Sequence, residues 1–173
     1  MIIRKGTKED IPQTLELIKE LAEYENALDM VSNTIERLEN DGFGNNKVFD
    51  LFVAEKNKKI IGIALTFFRY STWKGKVLYL EDLIVNSNHR RKGIGKKLFD
   101  EVTKFAREKS CVGLSLQVLD WNEIGINFYK KYNMKFDDEW VNCYLEFDEK
   151  VSFSIQRHIV INYHAFYSSQ KCR

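Results

Sequence analysis

Val77-Leu78-Tyr79-Leu80-Glu81-Asp82-Leu83-Ile84-Val85, four polar residues, and then Arg90-Arg91-Lys92-Gly93-Ile94-Gly95-Lys96-Lys97 make up the stretch that decides the fold. The first half is an apolar, β-branched run of strand type with an acidic pair lodged inside it. A polar loop over residues 86–92 follows, and then Ile94, Leu98, Val102 and Phe105 recur on one side of a helix. A strand handing over to a helix through a basic, glycine-containing turn is a ready anion site. The helix start leaves backbone N–H groups unpaired and carries partial positive charge. Gly93 and Gly95 remove Cβ atoms, so a diphosphate can approach the backbone closely. Two phosphate motifs are excluded: a P-loop needs glycine where Arg90 stands and Ser or Thr where Lys97 stands. The dinucleotide fingerprint needs a third glycine where Leu98 stands. What remains is Arg-x-x-Gly-x-Gly.

Working outward, Ile2, Ile3 and Arg4 read as a short strand, and Thr7 with Asp10 marks a helix start with Pro12 in the first turn. Ile11, Leu15, Ile18 and Ala22 lie on one helical face. A weaker helix is expected over 34–40. Strands over 48–55 and 60–70 flank the turn Lys56-Asn57-Lys58-Lys59 as a hairpin. Beyond the central helix, Leu114, Leu116 and Val118 alternate as a strand, 123–132 reads as a helix, and 144–147 closes with another strand. The order predicts an α/β (α+β) fold: a mixed sheet with helices packed against it. In residues 151–173 helical and strand periodicities fit equally well.

At 173 residues, 44% hydrophobic and 30% charged, the chain suits one compact domain with a buried core. Its 27 basic and 25 acidic residues leave +2, which argues against a dedicated nucleic-acid binder. No apolar run approaches the roughly 18 residues of a membrane span, and Met1-Ile2-Ile3-Arg4-Lys5 lacks a signal-peptide stretch. Cys111, Cys143 and Cys172 form neither a disulfide framework nor a zinc pattern. His158 and His164 add no ligand spacing, so no metal is expected. The expectation is a soluble, cytoplasmic protein.

Arg-x-x-Gly-x-Gly after Leu83-Ile84-Val85 resembles the acetyl-CoA site of the GCN5-related N-acetyltransferases (GNAT). Tyr79-Leu80-Glu81-Asp82, Asp41-Gly42-Phe43-Gly44, Leu21-Ala22-Glu23-Tyr24-Glu25, and Trp121-Asn122-Glu123 with Asn127-Phe128-Tyr129-Lys130 resemble the spermidine/spermine (diamine) N-acetyltransferases. Ser71-Thr72-Trp73-Lys74-Gly75 and Val118-Leu119-Asp120-Trp121-Asn122 are most similar to the branch that prefers thialysine. The resemblance covers about residues 2–148 and implies a GNAT fold with a mostly antiparallel central sheet. The corresponding division is an N-acetyltransferase domain over 1–150 and a C-terminal extension over 151–173.

The resemblance implies a direct transfer of acetyl from acetyl-CoA to a primary amine of a polyamine, diamine or thialysine. The backbone of Leu83, Ile84 and Val85 receives the pantetheine arm. Arg90, Arg91, Lys92, Gly93, Ile94, Gly95 and Lys96 hold the pyrophosphate, and Asn122, Glu123, Ile124 and Gly125 lie near the cofactor, departing from the family where a member has proline. An amine with pKa near 10.4 needs about 4.6 kcal/mol to reach its free base at pH 7, so the site must help remove a proton. Glu81, acidic within an apolar strand, is the candidate on the substrate side. By strand alternation, Asp82 is expected on the opposite face. Tyr129 matches the family's catalytic acid, its phenol protonated at pH 7. Tyr24, Glu25 and Trp73 match or suit acceptor binding, Trp73 as an aromatic wall for a cationic chain. The resemblance also implies a homodimer, while the near-balanced charge and the lack of a long apolar run give no expectation of nucleic acid or membrane as partner. The competing functions are acetylation of a protein amino terminus or lysine, and a catalytically idle CoA-binding module.

Overall fold

The computed structural model describes residues 1–137, Glu139, 141–143 and Leu145. These fall into two units divided between Phe128 and Tyr129. The first unit holds β1 (Ile2–Lys5), α1 (Ile11–Tyr24), α2 (Ile35–Phe43), β2 (Asp50–Lys56), β3 (Lys59–Ser71), β4 (Gly75–Val85), α3 (Ile94–Glu108) and β5 (Gly113–Leu116). The last helix among the described residues, α4, runs Glu123–Lys130. The sheet order is β1-β2-β3-β4-β5; the first three pairings are antiparallel and β4–β5 is parallel. This is the mixed α/β sheet the element order implies. Residues 151–173 and most of the strand expected over 144–147 lie outside the described residues.

Local chemistry sets the boundaries. The Thr7 N–H donates to Asp10 Oδ2 at 2.8 Å, and Arg4 clamps the same carboxylate with 2.6 and 2.9 Å bonds while reaching Glu55 at 2.8 Å. Thr34 Oγ1 caps α2 by accepting from the Arg37 N–H at 3.1 Å. The β2–β3 turn puts Asn57 (φ 52°) and Lys58 (φ 62°) in the left-handed region, the two-residue hairpin conformation that matches strand twist.

Each sheet face buries its own layer. Leu51, Val53, Ile63, Leu65 and Ile84 meet Ile11, Leu15 and Leu38 of α1 and α2. The other face, carrying Phe52, Ala64, Leu78 and Leu80, is covered by Ile94, Leu98, Val102 and Phe105 of α3, with the Phe52 and Phe105 rings 5.2 Å apart. Gly62 permits this approach, because a Cβ there would stand 2.9 Å from the Ile84 carbonyl and 3.2 Å from Leu98.

Candidate active site

The anion turn has the geometry its sequence predicts. Arg91 (φ 61°) and Gly93 (φ 74°) are both left-handed, and Gly93 is the N-cap of α3. A left-handed arginine is uncommon and marks a turn held by its surroundings. The first helical bond runs from the Lys97 N–H to the Gly93 carbonyl at 3.1 Å, leaving the Ile94, Gly95 and Lys96 N–H groups without an intrahelical partner. These donors, at the positive end of a fifteen-residue helix, suit a diphosphate.

The basic side chains divide their labour. Lys92 Nζ donates to the Asn88 carbonyl at 3.0 Å, and Lys96 pairs with Asp100 at 2.7 Å. Arg90 turns inward: its Nε donates to the Val85 carbonyl at 3.0 Å, and its guanidinium lies 5.3 Å from the Tyr24 ring centroid. Arg90 therefore braces the turn. Arg91 and Lys97 remain exposed beside the amides.

The acidic pair departs from expectation. On β3, Thr66 sits opposite Leu80 and Leu65 opposite Asp82, so Glu81 is an extra residue in a β-bulge. The bulge resets the alternation: Asp82 falls on the α1/α2 face with Leu65 and Ile84, not on the far side from Glu81. Both acidic residues consequently belong to one face. Burial, then the charges of Glu81 and Glu25, push the Asp82 carboxyl up to about 7. Glu25, at the C-cap of α1, is itself raised by burial. Tyr79 is raised by burial and by Glu81, and its hydroxyl donates to Gln117 Oε1 at 2.9 Å. Three carboxyl groups thus converge where an added positive charge is favoured.

Beyond the bulge the sheet opens. β5 pairs with β4 only from Val77 to Leu80, so among the described residues no strand covers the second edge of β4 at Leu83, Ile84 and Val85. That edge lies between the acidic cluster and the anion turn, which begins directly after Val85.

α1 joins these parts to α4. The Tyr24 hydroxyl donates to Asn122 Oδ1 at 3.3 Å and its ring packs 5.7 Å from that of Trp121. Asn122 Oδ1 also accepts the Gly125 N–H at 2.9 Å, making Asn122 the cap that starts α4 at Glu123. Gly125 is tightly enclosed, since a Cβ would stand 3.0 Å from Val118 and 3.1 Å from Asn122. Ile124 is exposed.

One predicted residue lies apart from this cluster. Trp73, at the tip of the β3–β4 hairpin, is 84% exposed. Six residue-to-residue steps of strand from Gly75 to Glu81 correspond to about 20 Å, so the structure does not bring Trp73 to the bulge within the chain. Tyr129 is buried near the end of α4 and begins the second unit, where its carbonyl accepts from the Tyr132 N–H at 3.0 Å. Sequence reasoning missed Glu20, whose carboxylate accepts the Ser87 N–H at 2.6 Å and Asn86 Nδ2 at 2.8 Å. Its spacing of four from Tyr24, on the same helix face, was the available signal. Among the described residues there is no group of three metal-ligating side chains and no helix long and apolar enough to cross a membrane.

Comparison with known proteins identifies the family. The profile of the Acetyltransferase (GNAT) family matches residues 14–134. Thialysine N-epsilon-acetyltransferase of Bos taurus is 40% identical over 138 residues, covering 75% of this chain and 81% of that protein. Spermidine/spermine N(1)-acetyltransferase-like protein 1 of Homo sapiens is 39% identical over 134 residues, covering 73% of this chain and 19% of that protein. Among solved structures, the aminoglycoside N-acetyltransferase AAC(6')-Iy in complex with CoA superposes with a TM-score of 0.62 at 21% identity, covering 85% of this chain and all of that one (100%).

Proposed function

Since the chain belongs to the GNAT family and is an N-acetyltransferase acting on amines, we propose that it transfers acetyl from acetyl-CoA to a small cationic acceptor. The acceptor is a polyamine, a diamine or thialysine, and its primary amine attacks directly within a ternary complex. The observation that carries this reading is the bulge at Glu81, which gathers Glu81, Asp82 and Glu25 beside an open strand edge that runs into an anion turn.

Acetyl-CoA, when bound, supplies the thioester carbonyl. The residues present fit it: the free N–H groups at Ile94, Gly95 and Lys96 suit the diphosphate, and the uncovered edge at Leu83, Ile84 and Val85 suits an amide-bearing arm. Exposed Arg91 and Lys97 add charge, while Asn122 to Gly125 border the same region from α4.

The carboxyl groups select and deprotonate the acceptor. An ammonium entering among three acids is attracted by Glu25 and Glu81. A carboxyl near 7 is a base matched to neutral pH, so Asp82 joins Glu81 in accepting the proton, directly or through one water. Tyr129 then donates a proton to the departing sulfur. Among the described residues, Cys111 and Cys143 lie outside these elements, consistent with attack without an acetyl-cysteine.

Release of CoA thiol, measured with purified protein, acetyl-CoA and a panel of spermidine, putrescine, thialysine, lysine and peptide acceptors, tests the reading. Saturable release with small diamines or thialysine is expected. Release with peptides alone would favour protein acetylation, and CoA binding without product would favour an idle binding module. A homodimer and a cytoplasmic location belong to the same proposal. The exposed Phe68, Tyr70 and Trp73 provide apolar area for a second copy, and sedimentation velocity decides between monomer and dimer.

A further inference from the structure

Glu20 belongs to none of the groups that would touch acetyl-CoA or an amine, yet its carboxylate is one of the most densely used in the molecule. Oε1 accepts the Ser87 N–H at 2.6 Å and lies 3.8 Å from Arg90 Nη2, while Oε2 accepts Asn86 Nδ2 at 2.8 Å. One α1 residue thereby grips the segment leaving β4 at three points, immediately before the anion turn. One helical turn later Tyr24 stacks on the same Arg90 and bonds Asn122, the cap of α4. Arg90 closes the arrangement through its bond to the Val85 carbonyl.

We propose that Glu20 is a positioning residue for the acetyl-CoA turn, fixing Asn86, Ser87 and Arg90 so that the α3 amides meet the diphosphate already ordered. This rests on the acetyl-CoA reading above and adds to it a residue acting through others. The physical reason is twofold. A carboxylate accepting two N–H donors and facing a guanidinium forms bonds stronger than neutral ones. An untethered turn would instead have to be ordered by the ligand itself, and that entropy would be lost from affinity. The negative charge also holds Arg90 inward, so that only the outward basic groups face the ligand.

Calorimetry with CoA and steady-state kinetics on the wild type, Glu20→Gln and Glu20→Ala test this. Glu20→Gln keeps the shape but loses the charge; Glu20→Ala loses all three contacts. Loss of one charge-assisted bond predicts a CoA Kd and acetyl-CoA KM raised about tenfold in Glu20→Gln, and more in Glu20→Ala. The acceptor KM and kcat at saturating acetyl-CoA should stay within about twofold. Amide hydrogen exchange should accelerate at Ser87 and its neighbours, while α3 and β4 stay protected. A merely structural role would lower Tm and active fraction while leaving the acetyl-CoA KM untouched, and that pattern overturns the proposal. So does an unchanged CoA Kd in both variants. If the wild type itself binds no CoA, the acetyltransferase reading fails first and this inference with it, a result distinct from wild-type binding that the variants share.

Discussion

Replacing Asp82 by Asn removes the most perturbed carboxyl in the described structure. The carboxyl stands at about 7 against an ordinary 3.8, chiefly through burial and then through Glu81 and Glu25. Between those two values the native state holds a proton that the unfolded chain has released. Unfolding free energy therefore falls as pH rises through this window and levels off above about 7. The full displacement corresponds to roughly 4 kcal/mol; because Asp82 is only half-buried as a residue, solvent screening reduces the expected effect to about 2 kcal/mol. Asn mimics the neutral acid, so Asp82→Asn should match wild type near pH 4 and exceed it by about 2 kcal/mol at pH 8. For a chain of this length that is a Tm gain of roughly 4–8 °C. Urea denaturation of both proteins at pH 4, 5, 6, 7 and 8 measures the gap, and titrating groups remote from Asp82 cancel in the difference. The same substitution should raise the acceptor KM and lower kcat, stability gained and activity lost together. A gap that is constant with pH, or that shrinks as pH rises, would refute the assignment of Asp82 as a strained near-neutral acid.

Further outcomes follow from single residues. Tyr129→Phe should lower kcat by about a hundredfold or more while CoA affinity holds, as measured by thiol release and calorimetry; unchanged turnover removes Tyr129 from the acid role. Gly93→Ala meets open space but a φ of 74°, so strain of about 1–2 kcal/mol should appear as a lower Tm and weaker CoA binding. Gly62→Ala forces a Cβ to 2.9 Å from the Ile84 carbonyl and should cost about 1–3 kcal/mol in urea denaturation, an unchanged midpoint contradicting the tight packing of α3 on the sheet.

The parts of the structure governed by local chemistry were legible from sequence. The stripe Ile94, Leu98, Val102 and Phe105, the Thr7–Asp10 start and the glycine turn all depend on neighbours a few residues away, and all stand where their spacing puts them. Departures arise where distant contacts decide. The bulge at Glu81 comes from the register against Leu65 and Thr66, which alternation along a single strand does not reveal. It is the reason Asp82 shares a face with Glu81. α4 ends at Lys130 because the chain tightens into a turn in which Asn133 is left-handed, rather than running on to Tyr132. β5 stops at Leu116, short of the Val118 that alternation would include. Glu20 and the inward turn of Arg90 were hidden for a similar reason: the partners of Glu20 lie 66 and 67 residues away.

The central claim is that the turn at Gly93 and Gly95 grips a diphosphate and so presents a thioester to the acidic cluster. Calorimetric titration of the protein with CoA and, separately, with pantetheine measures this directly. CoA should bind with clear heat, and pantetheine, which has the thiol arm but no diphosphate, should bind far more weakly. Absence of heat with CoA, or equal affinity for the two, would contradict the account.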